Sequence, residues 1–538
     1  MFSAPPIDGL GIEQNGSSAR FFRFGLAGVL LLGLLPRLYG PSDRSLWFDE
    51  AFCWRIIQFP FFEMLERVGR DNHPPLYFIL LKLWAAVFGD SACALRLLSV
   101  LFGVATIWGT YLFAAATFGG ALDLGPKLLF GNVPPVKSVS RGQAIGLFSA
   151  ALVALSAFQI RYSWEMRMYA LAGALAVFSS WALVRALDAA GNGRRWLLYG
   201  SLALLLAYTH YYGLFTLAAQ GIFAALLLWH RAGWNLVTLF RRRQLWYAIV
   251  TAMIVALAWL PWLPTFIHQR AQVKDDFPIH PVTVWGVGEL TYQMFLRPEY
   301  LPAPPRQELL WTLDVWLVSL YLLARRAGWC DGLVLCLGLG PLAFCLLASV
   351  WEAPILSLRY FVPAHIFLLV GLAALVWRIR FRVERTIIAG ALLCIFVAVD
   401  FDFWQTMDLE NRPGARGAAA FLAQHRTADE PVIASMPFFY FSLLHDARDE
   451  SGYYLFTDGR QMPHHYGTAA MKATDLIDAE GLRSIRARRV WVVELDGGFL
   501  GYRGVAIPAG WIAKHQWVFP DVFDLGNAVV VEYDTGSG

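Results

Sequence analysis

Two adjacent carboxylates, Asp49 and Glu50, stand in the aromatic stretch Arg44-Ser-Leu-Trp-Phe-Asp49-Glu50-Ala-Phe-Cys-Trp-Arg55. A carboxylate beside an apolar phase is costly unless it is paired or hydrated. The pair therefore has either a chemical use or a cationic partner, and Arg44 and Arg55 both lie close enough in sequence to be that partner. Neighbouring residues on a helix point about 100° apart, so the two carboxylates cannot face each other as acid and base. At most one acts and the other supports it. Hydrolysis of an ordinary glycoside needs two opposed carboxylates, because the alcohol that leaves must be protonated. A sugar that leaves a phosphate behind needs only a base for the incoming hydroxyl and cations for the departing anion. One carboxylate among arginines and histidines fits the second demand.

The cations are spread along the chain. Asp71-Asn-His73-Pro-Pro opens an apolar helix. Proline is well tolerated at a helix start, and the free N–H groups there favour an anion, so His73 is an anion ligand or a cap. In Arg161-Tyr-Ser-Trp-Glu165-Met-Arg167-Met-Tyr169, Glu165 is four residues from Arg161 and can pair with it, which leaves Arg167 the freer of the two arginines. Arg359-Tyr360 heads another apolar run, where an arginine either meets an anion or reaches up to headgroups. His210, between Thr209 and Tyr211, is a packed residue or a site residue. Cys330, Cys336, Cys345 and Cys394 lie in or at apolar runs and behave as small apolar side chains. Cys53 and Cys93 share one loop, where a disulfide in an oxidising compartment is the alternative to free thiols. Neither a nucleotide-binding motif nor zinc-type cysteine spacing is present.

The elements that must position these residues are membrane spans. Of the 538 residues 57% are hydrophobic and only 16% charged, against about 45–50% and about 25% in soluble domains. A net charge of +4, from 44 basic and 40 acidic residues, is too small to argue for nucleic acid. The 22 Trp, 20 Tyr and 39 Phe suit interfacial surface and contact with membrane lipids. Uncharged runs lie at about 24–36, 97–122, 142–160, 168–184, 196–209, 211–229, 244–267, 315–324 (extended back past Asp314 to about 308), 333–351, 366–377 and 386–399. With flanking residues most reach the roughly 20 needed to cross hydrocarbon, and there they must be helices. The first run follows Arg20 and Arg23 without a small-residue cleavage site and reads as a retained anchor.

Residues 74–89 decide the topology, being apolar but short and carrying Lys82. If they cross, the basic loop of Lys127, Lys137 and Arg141 falls outside. If they lie flat as an interfacial helix, every inner loop is basic, as the positive-inside tendency demands. The expectation is a polytopic α-helical protein of the plasma (inner) membrane, with about eleven spans and outer-face juxtamembrane helices. Residues 1–23 form a cytoplasmic tail, 24–402 the membrane module with its outer loop at 41–93, and 403–538 an extracytoplasmic α/β domain. The strand-like runs of that domain start at Pro431, Arg489 and Ala528. Apart from Asp314 and His365 the spans hold almost no ionisable residue, which counts against a proton-coupled pump.

At these residues the chain resembles the GT-C class of integral-membrane glycosyltransferases. It is most similar to the family-39-like bacterial relatives of protein O-mannosyltransferases and aminoarabinose transferases. The resemblance spans roughly residues 20–400. It rests on Leu46-Trp-Phe-Asp49-Glu50, Asn72-His73-Pro-Pro-Leu-Tyr77, Glu165-Met-Arg167-Met-Tyr169, Tyr208-Thr-His210-Tyr211 and Arg359-Tyr360 before Pro363. Relatives often have Gln where this chain has Trp164, and the aminoarabinose transferases have a Lys near the position of His73. The resemblance implies a polyprenyl-phosphate-linked sugar donor, with an acceptor hydroxyl on protein, lipid or glycan. Asp49 is then the catalytic base with Glu50 beside it, and His73, Arg167 and Arg359 hold the donor phosphate. Glu165, Tyr169, His210, Tyr211 and Tyr360 are further site candidates. No cofactor is demanded; a divalent metal between Asp49 and phosphate stays open. The alternatives are a lipid-linked sugar flippase and a non-catalytic scaffold.

Overall fold

The structure, a computed structural model, describes residues 12–39, 44–121, 139–188, 192–276, 283–296, 306–325, 328–351, 354–407, 410–447, 450–460, 462–496, 504–521 and 526–536. Its first helices are α1 (Ile12–Leu38), α2 (Phe48–Ile57), α3 (Phe61–Arg70), α4 (Leu76–Phe88), α5 (Ala92–Ala116), α6 (Val139–Leu155) and α7 (Ala157–Trp164). Next come α8 (Tyr169–Asp188), α9 (Gly193–Ala207), α10 (Tyr212–Arg231), α11 (Leu236–Phe240), α12 (Arg243–Trp259), α13 (Leu263–Asp276) and α14 (Val284–Phe295). The series closes with α15 (Arg306–Arg325), α16 (Trp329–Trp351), α17 (Val362–Val376), α18 (Arg382–Met407), α19 (Gly414–His425), α20 (Pro437–Ala447) and α21 (Ala479–Ser484). The C-terminal region adds strands β1 (Val432–Ala434), β2 (Tyr453–Phe456), β3 (Leu476–Ile477), β4 (Arg489–Asp496), β5 (Ile512–Phe519) and β6 (Asn527–Asp534).

Among the described residues eight helical segments are long and apolar enough to cross a membrane, and a bent pair supplies a ninth. This is a multi-pass membrane protein. Each of the eleven uncharged runs lies on a helix. The two beyond those nine are on α9, only 15 residues long, and on α15. Helix α4, which covers the ambiguous run, has 13 residues and is too short to cross. Its Lys82 Nζ donates to the carbonyls of Ile57 (2.7 Å) and Phe59 (2.8 Å), groups the end of α2 leaves without helical partners. The Leu76 N–H donates to the Tyr208 carbonyl (3.1 Å), tying the start of α4 to the end of α9.

The bent pair, Ser140–Leu155 and Ala157–Trp164, turns by 60°. Ser156 sits at the break with extended backbone, and its side chain accepts from the Gln159 N–H. The break strands the carbonyls of the preceding turn, and unsatisfied carbonyls are costly inside a membrane protein. Arg37, at the end of the first span, meets them, donating to Val153 (3.1 Å) and Ala154 (2.9 Å). Its Nε donates to Ser163 Oγ (3.2 Å). Gly103 of α5 allows this approach, since a Cβ there would lie 2.2 Å from Ser163 Oγ. Helix α7 is thereby aimed, and the chain turns directly after it.

Towards the C-terminus a six-stranded sheet runs in the order β3-β2-β1-β4-β6-β5. The four strands at the β3 end pair in parallel, while β6 pairs antiparallel with β4 and β5. Successive residues of β4 alternate between faces. Val490 and Val492 pack with Leu482 of α21, whereas Trp491 and Val493 join the main core through α19 and α20. That core continues into α2. Ser442 Oγ donates to the Leu46 carbonyl (2.7 Å), and buried Arg55 donates to Asp475 (3.1 Å) and to Glu450. Gly467, at φ +74°, packs against Phe48, Phe52 and Phe441 where a side chain would crowd.

Candidate active site

Helix α2 is buried on nearly every side, and Asp49 is its one residue that is not. Glu50 sits about 100° further round, with none of its side chain exposed. Arg44 Nη2 donates to both its oxygens (3.0 and 3.1 Å), Arg96 donates at 2.7 and 2.8 Å, and the Met166 N–H adds a fifth contact (3.1 Å). Burial alone would push this carboxyl up; the Arg44 and Arg96 charges bring it to about 2. Arg96 also donates to the carbonyls of Arg44 and Ser45 (3.0 Å each). Glu50 thus ties the loop before α2, the start of α5 and the turn after α7 into one knot. Expected beside Asp49 at the reacting centre, it has no face left for a substrate and takes the supporting place.

The turn after α7 presents Arg167. Glu165 pairs with Arg161 (2.7 Å); burial outweighs that partner and pushes its carboxyl up to about 7. Arg167 turns the other way. Its Nε lies 3.6 Å from Asp49 Oδ2, and its Nη1 donates to Cys53 Sγ (3.3 Å), one helical turn beyond Asp49. Arg359, just before α17, completes the contact: its Nη1 donates to the same Asp49 oxygen at 2.7 Å, and its guanidinium lies 5.4 Å from the Trp47 ring. Two arginines from distant helices therefore converge on one carboxylate. Asp49 and Arg359 both reach solvent, with 17% and 26% of their side chains exposed.

Behind them lies a set of rings. His73 Nδ1 is 3.3 Å from Asp71 Oδ2, and its ring centroid is 5.6 Å from that of His210. His210 in turn lies 4.9 Å from Tyr360 and 5.9 Å from Tyr169. Burial and then the Arg167 charge press His73 below the ordinary imidazole value, against the pull of Asp71. Burial, His73 and the two arginines press His210 far lower, so both rings are neutral at pH 7. The Tyr212 N–H donates to His210 Nδ1 (3.1 Å), which leaves the ring proton on Nε2. That nitrogen and the Tyr169 hydroxyl are buried and have no hydrogen-bond partner among the described residues.

Asp49, His73, Arg167, Tyr169, His210, Arg359 and Tyr360 are thus brought together. Tyr211 is not. Its hydroxyl bonds to Gln269 and accepts from Trp262 Nε1 (2.9 Å), and Gln269 Nε2 donates to the carbonyls of Val68 (2.9 Å) and His73 (3.4 Å). Tyr211 therefore braces the loop that carries His73 and does not enter the cluster. Cys53 and Cys93 are both free thiols, and burial pushes the Cys53 thiol up to about 12. No three His, Cys, Asp or Glu side chains among the described residues are grouped to hold a metal ion. Sequence reasoning missed Asp71 as a site residue and Arg96 altogether. Arg96 carried a signal, being an arginine at the head of a long apolar run, where such a charge needs a partner.

No protein-family model matches the chain, and no curated protein sequence does. Among solved structures it is similar to ArnT from Cupriavidus metallidurans bound to undecaprenyl phosphate, with a TM-score of 0.58 at 11% identity over 95% of this chain and 98% of that one. The apo state of the same protein gives 0.57 and 11%, over 96% and 98%. The Archaeoglobus fulgidus oligosaccharyltransferase is more distant, at 0.47 and 12%, over 88% of this chain and 68% of that one. What the chain shares with ArnT is the fold, over nearly the whole length of both chains.

Proposed function

We propose that this protein is a membrane glycosyltransferase that moves a sugar from a polyprenyl-phosphate donor to an acceptor hydroxyl, inverting the anomeric carbon, with Asp49 as base. The observation that carries the reading is the convergence of Arg167 and Arg359 on Asp49, the one carboxylate of α2 open to solvent. In the reaction the acceptor O–H proton passes to Asp49 while its oxygen bonds to the anomeric carbon. The bond from that carbon to the phosphate oxygen breaks, and the electron pair leaves with the polyprenyl phosphate. Arg167 and Arg359 stabilise the charge that develops there. Neutral His210, with its proton on Nε2, and the Tyr169 hydroxyl offer further donors, and His73 is held for the same task by Asp71. The basic loops between spans support a site on the outer face of the plasma membrane, roofed by the C-terminal domain.

The same contacts imply an exchange of partners. Asp49 Oδ2 is occupied by a guanidinium, which leaves fewer lone pairs for an incoming proton. A phosphate drawing Arg359 and Arg167 to itself uncovers that oxygen, so the base becomes competent as the donor binds. The test is transfer of radiolabelled sugar from polyprenyl-phosphate donors in membranes carrying equal amounts of wild type or Asp49→Asn. Loss of a general base costs about 10²–10⁴-fold; equal transfer by both proteins would remove Asp49 as the base.

A further inference from the structure

Helices α8 and α10 both start beside the candidate site, at Tyr169 and Tyr212, and run for 20 residues each, about 30 Å. Their far ends, at Asp188 and Arg231, therefore lie on the face of the membrane opposite Asp49. There the loops 185–195 and 231–243 hold seven arginines and one acid, Asp188. Three of the arginines are spent on the backbone. Arg195 Nη1 donates to the Arg185 carbonyl (2.9 Å) and faces Asp188 at 3.9 Å. Arg231 Nη1 donates to the Leu187 carbonyl (2.6 Å), and Arg242 donates to the Arg231 carbonyl. Gln244 of α12 donates to the same Leu187 oxygen (3.1 Å). The last carbonyls of α8, which have no helical partners, thus gather the starts of α9 and α12 and the end of α10 in one place. A Cβ on Gly193 would lie 3.6 Å from the Tyr247 ring, and Tyr247 sits one turn beyond Arg243 on the same side of α12. Arg194 and Arg243, from different loops, become neighbours. Arg185, Arg194, Arg241 and Arg243 are exposed and have no acidic partner among the described residues.

Basic loops suffice to orient a chain in the membrane, but orientation does not require that they be drawn together, nor that an apolar element lie beside them. Helix α11 is that element. Its five residues are too few to cross, none is buried, and Leu236, Val237 and Phe240 are each more than half exposed. The turn before it holds Trp234 at φ +59°, where a bulky residue is rare, and leaves half of that side chain exposed. Large apolar side chains beside cations suit the boundary between acyl chains and headgroups. A free phosphate would leave the apolar strip uncovered, and a zwitterionic headgroup would bring its own cation against four arginines. We propose that this face binds an anionic phospholipid, its phosphate shared by Arg194 and Arg243 and its acyl chains lying against α11 and Trp234. The site is remote from Asp49 and needs only that the chain spans a membrane, so it stands or falls apart from sugar transfer.

The experiment is native mass spectrometry of the full chain, released from detergent micelles that hold equimolar phosphatidylglycerol and phosphatidylcholine. Wild type is expected to retain phosphatidylglycerol over phosphatidylcholine by about tenfold, the worth of two exposed arginines at a headgroup. Arg194→Gln combined with Arg243→Gln should remove that preference. Arg380→Gln combined with Arg382→Gln takes the same charge from another basic loop, where Glu384 stands among the arginines, and should leave the preference intact. Trp234→Ala combined with Phe240→Ala should lower phosphatidylglycerol retention with the arginines in place, and an excess of inorganic phosphate should not displace the lipid. Thermal unfolding shows that each variant is folded. Equal retention of the two lipids by wild type, a preference that withstands loss of Arg194 and Arg243, an equal loss in the Arg380 and Arg382 variant, or displacement by phosphate would overturn the proposal.

Discussion

Asp49 keeps 17% of its side chain exposed and shares one oxygen between two arginines, whereas Glu50, one residue further on, is fully enclosed and fully bonded. The rotation between successive helical residues is enough to leave one carboxylate partly open to solvent and put the other in an ionic knot. Both are paired with arginine, yet the pairings do different things. Around Glu50 the arginines are buried, and Arg96 is held by backbone carbonyls as well, so the pairing fixes geometry. Beside Asp49, Arg359 has 26% of its side chain exposed, and on the proposed reading it changes partner when the donor binds. On the proposed reading, what separates the structural acid from the reactive one is the exposure of its cations, not their presence.

The sharpest way to break this contrast is Glu50→Gln. Removing one member of a buried ionic group strands the other charges and costs about 3–5 kcal/mol, which thermal unfolding in nanodiscs should register as a large drop in Tm. Asp49→Asn should cost much less, because Arg359 and Asp49 reach solvent; an equal loss for both would erase the distinction. The pH dependence sharpens it further. Glu50 is held at about 2, below its ordinary 4.5, so its contribution is complete above pH 4.5 and drains away as pH falls toward 2. Glu165 is raised to about 7, so the fold favours it protonated, and stability falls as pH climbs from 4.5 through 7. Thermal unfolding across pH should therefore lose the acid limb in Glu50→Gln and the neutral limb in Glu165→Gln.

Smaller effects probe the supports. Arg55→Met leaves Asp475 buried without its guanidinium, at a cost of about 1–3 kcal/mol, and should speed proteolytic release of the C-terminal domain without altering the pocket. Proteolysis no faster than in wild type would mean that Arg55 does not hold the domain. Tyr211→Phe removes one hydrogen bond from the Gln269 brace, worth about 0.5–1.5 kcal/mol, and should raise KM for the donor modestly while leaving kcat. A loss in kcat would return Tyr211 to the reacting cluster.

Most of the membrane architecture was legible because hydrocarbon imposes a length and forbids unpaired backbone; all eleven runs are helical. The break at Ser156 was not legible, since the residue that permits it, Arg37, is more than a hundred positions away. In the C-terminal domain β1, β4 and β6 showed as apolar runs. The edge strand β5, Ile512–Phe519, did not, because its exposed side chains include Lys514, His515 and Gln516. Of the site, the residue types and their order along the chain could be read. Which of Asp49 and Glu50 is open could not, because both arginines on Glu50 come from outside its helix and Arg96 sits at the margin of a span. Tyr211 was misplaced for a related reason: adjacent to His210 in sequence, it points to a different neighbour.

The claim that Asp49 and a donor phosphate compete for the same arginines is tested most directly by the affinity of undecaprenyl phosphate for wild type and Asp49→Asn in nanodiscs at pH 7. Releasing two arginines from a partly exposed carboxylate is worth up to about 1 kcal/mol, so Asn should bind the phosphate tighter, by up to about fivefold, even as it fails to transfer sugar. Weaker or unchanged binding by Asp49→Asn would contradict the exchange and make Asp49 a fixed brace for Arg359.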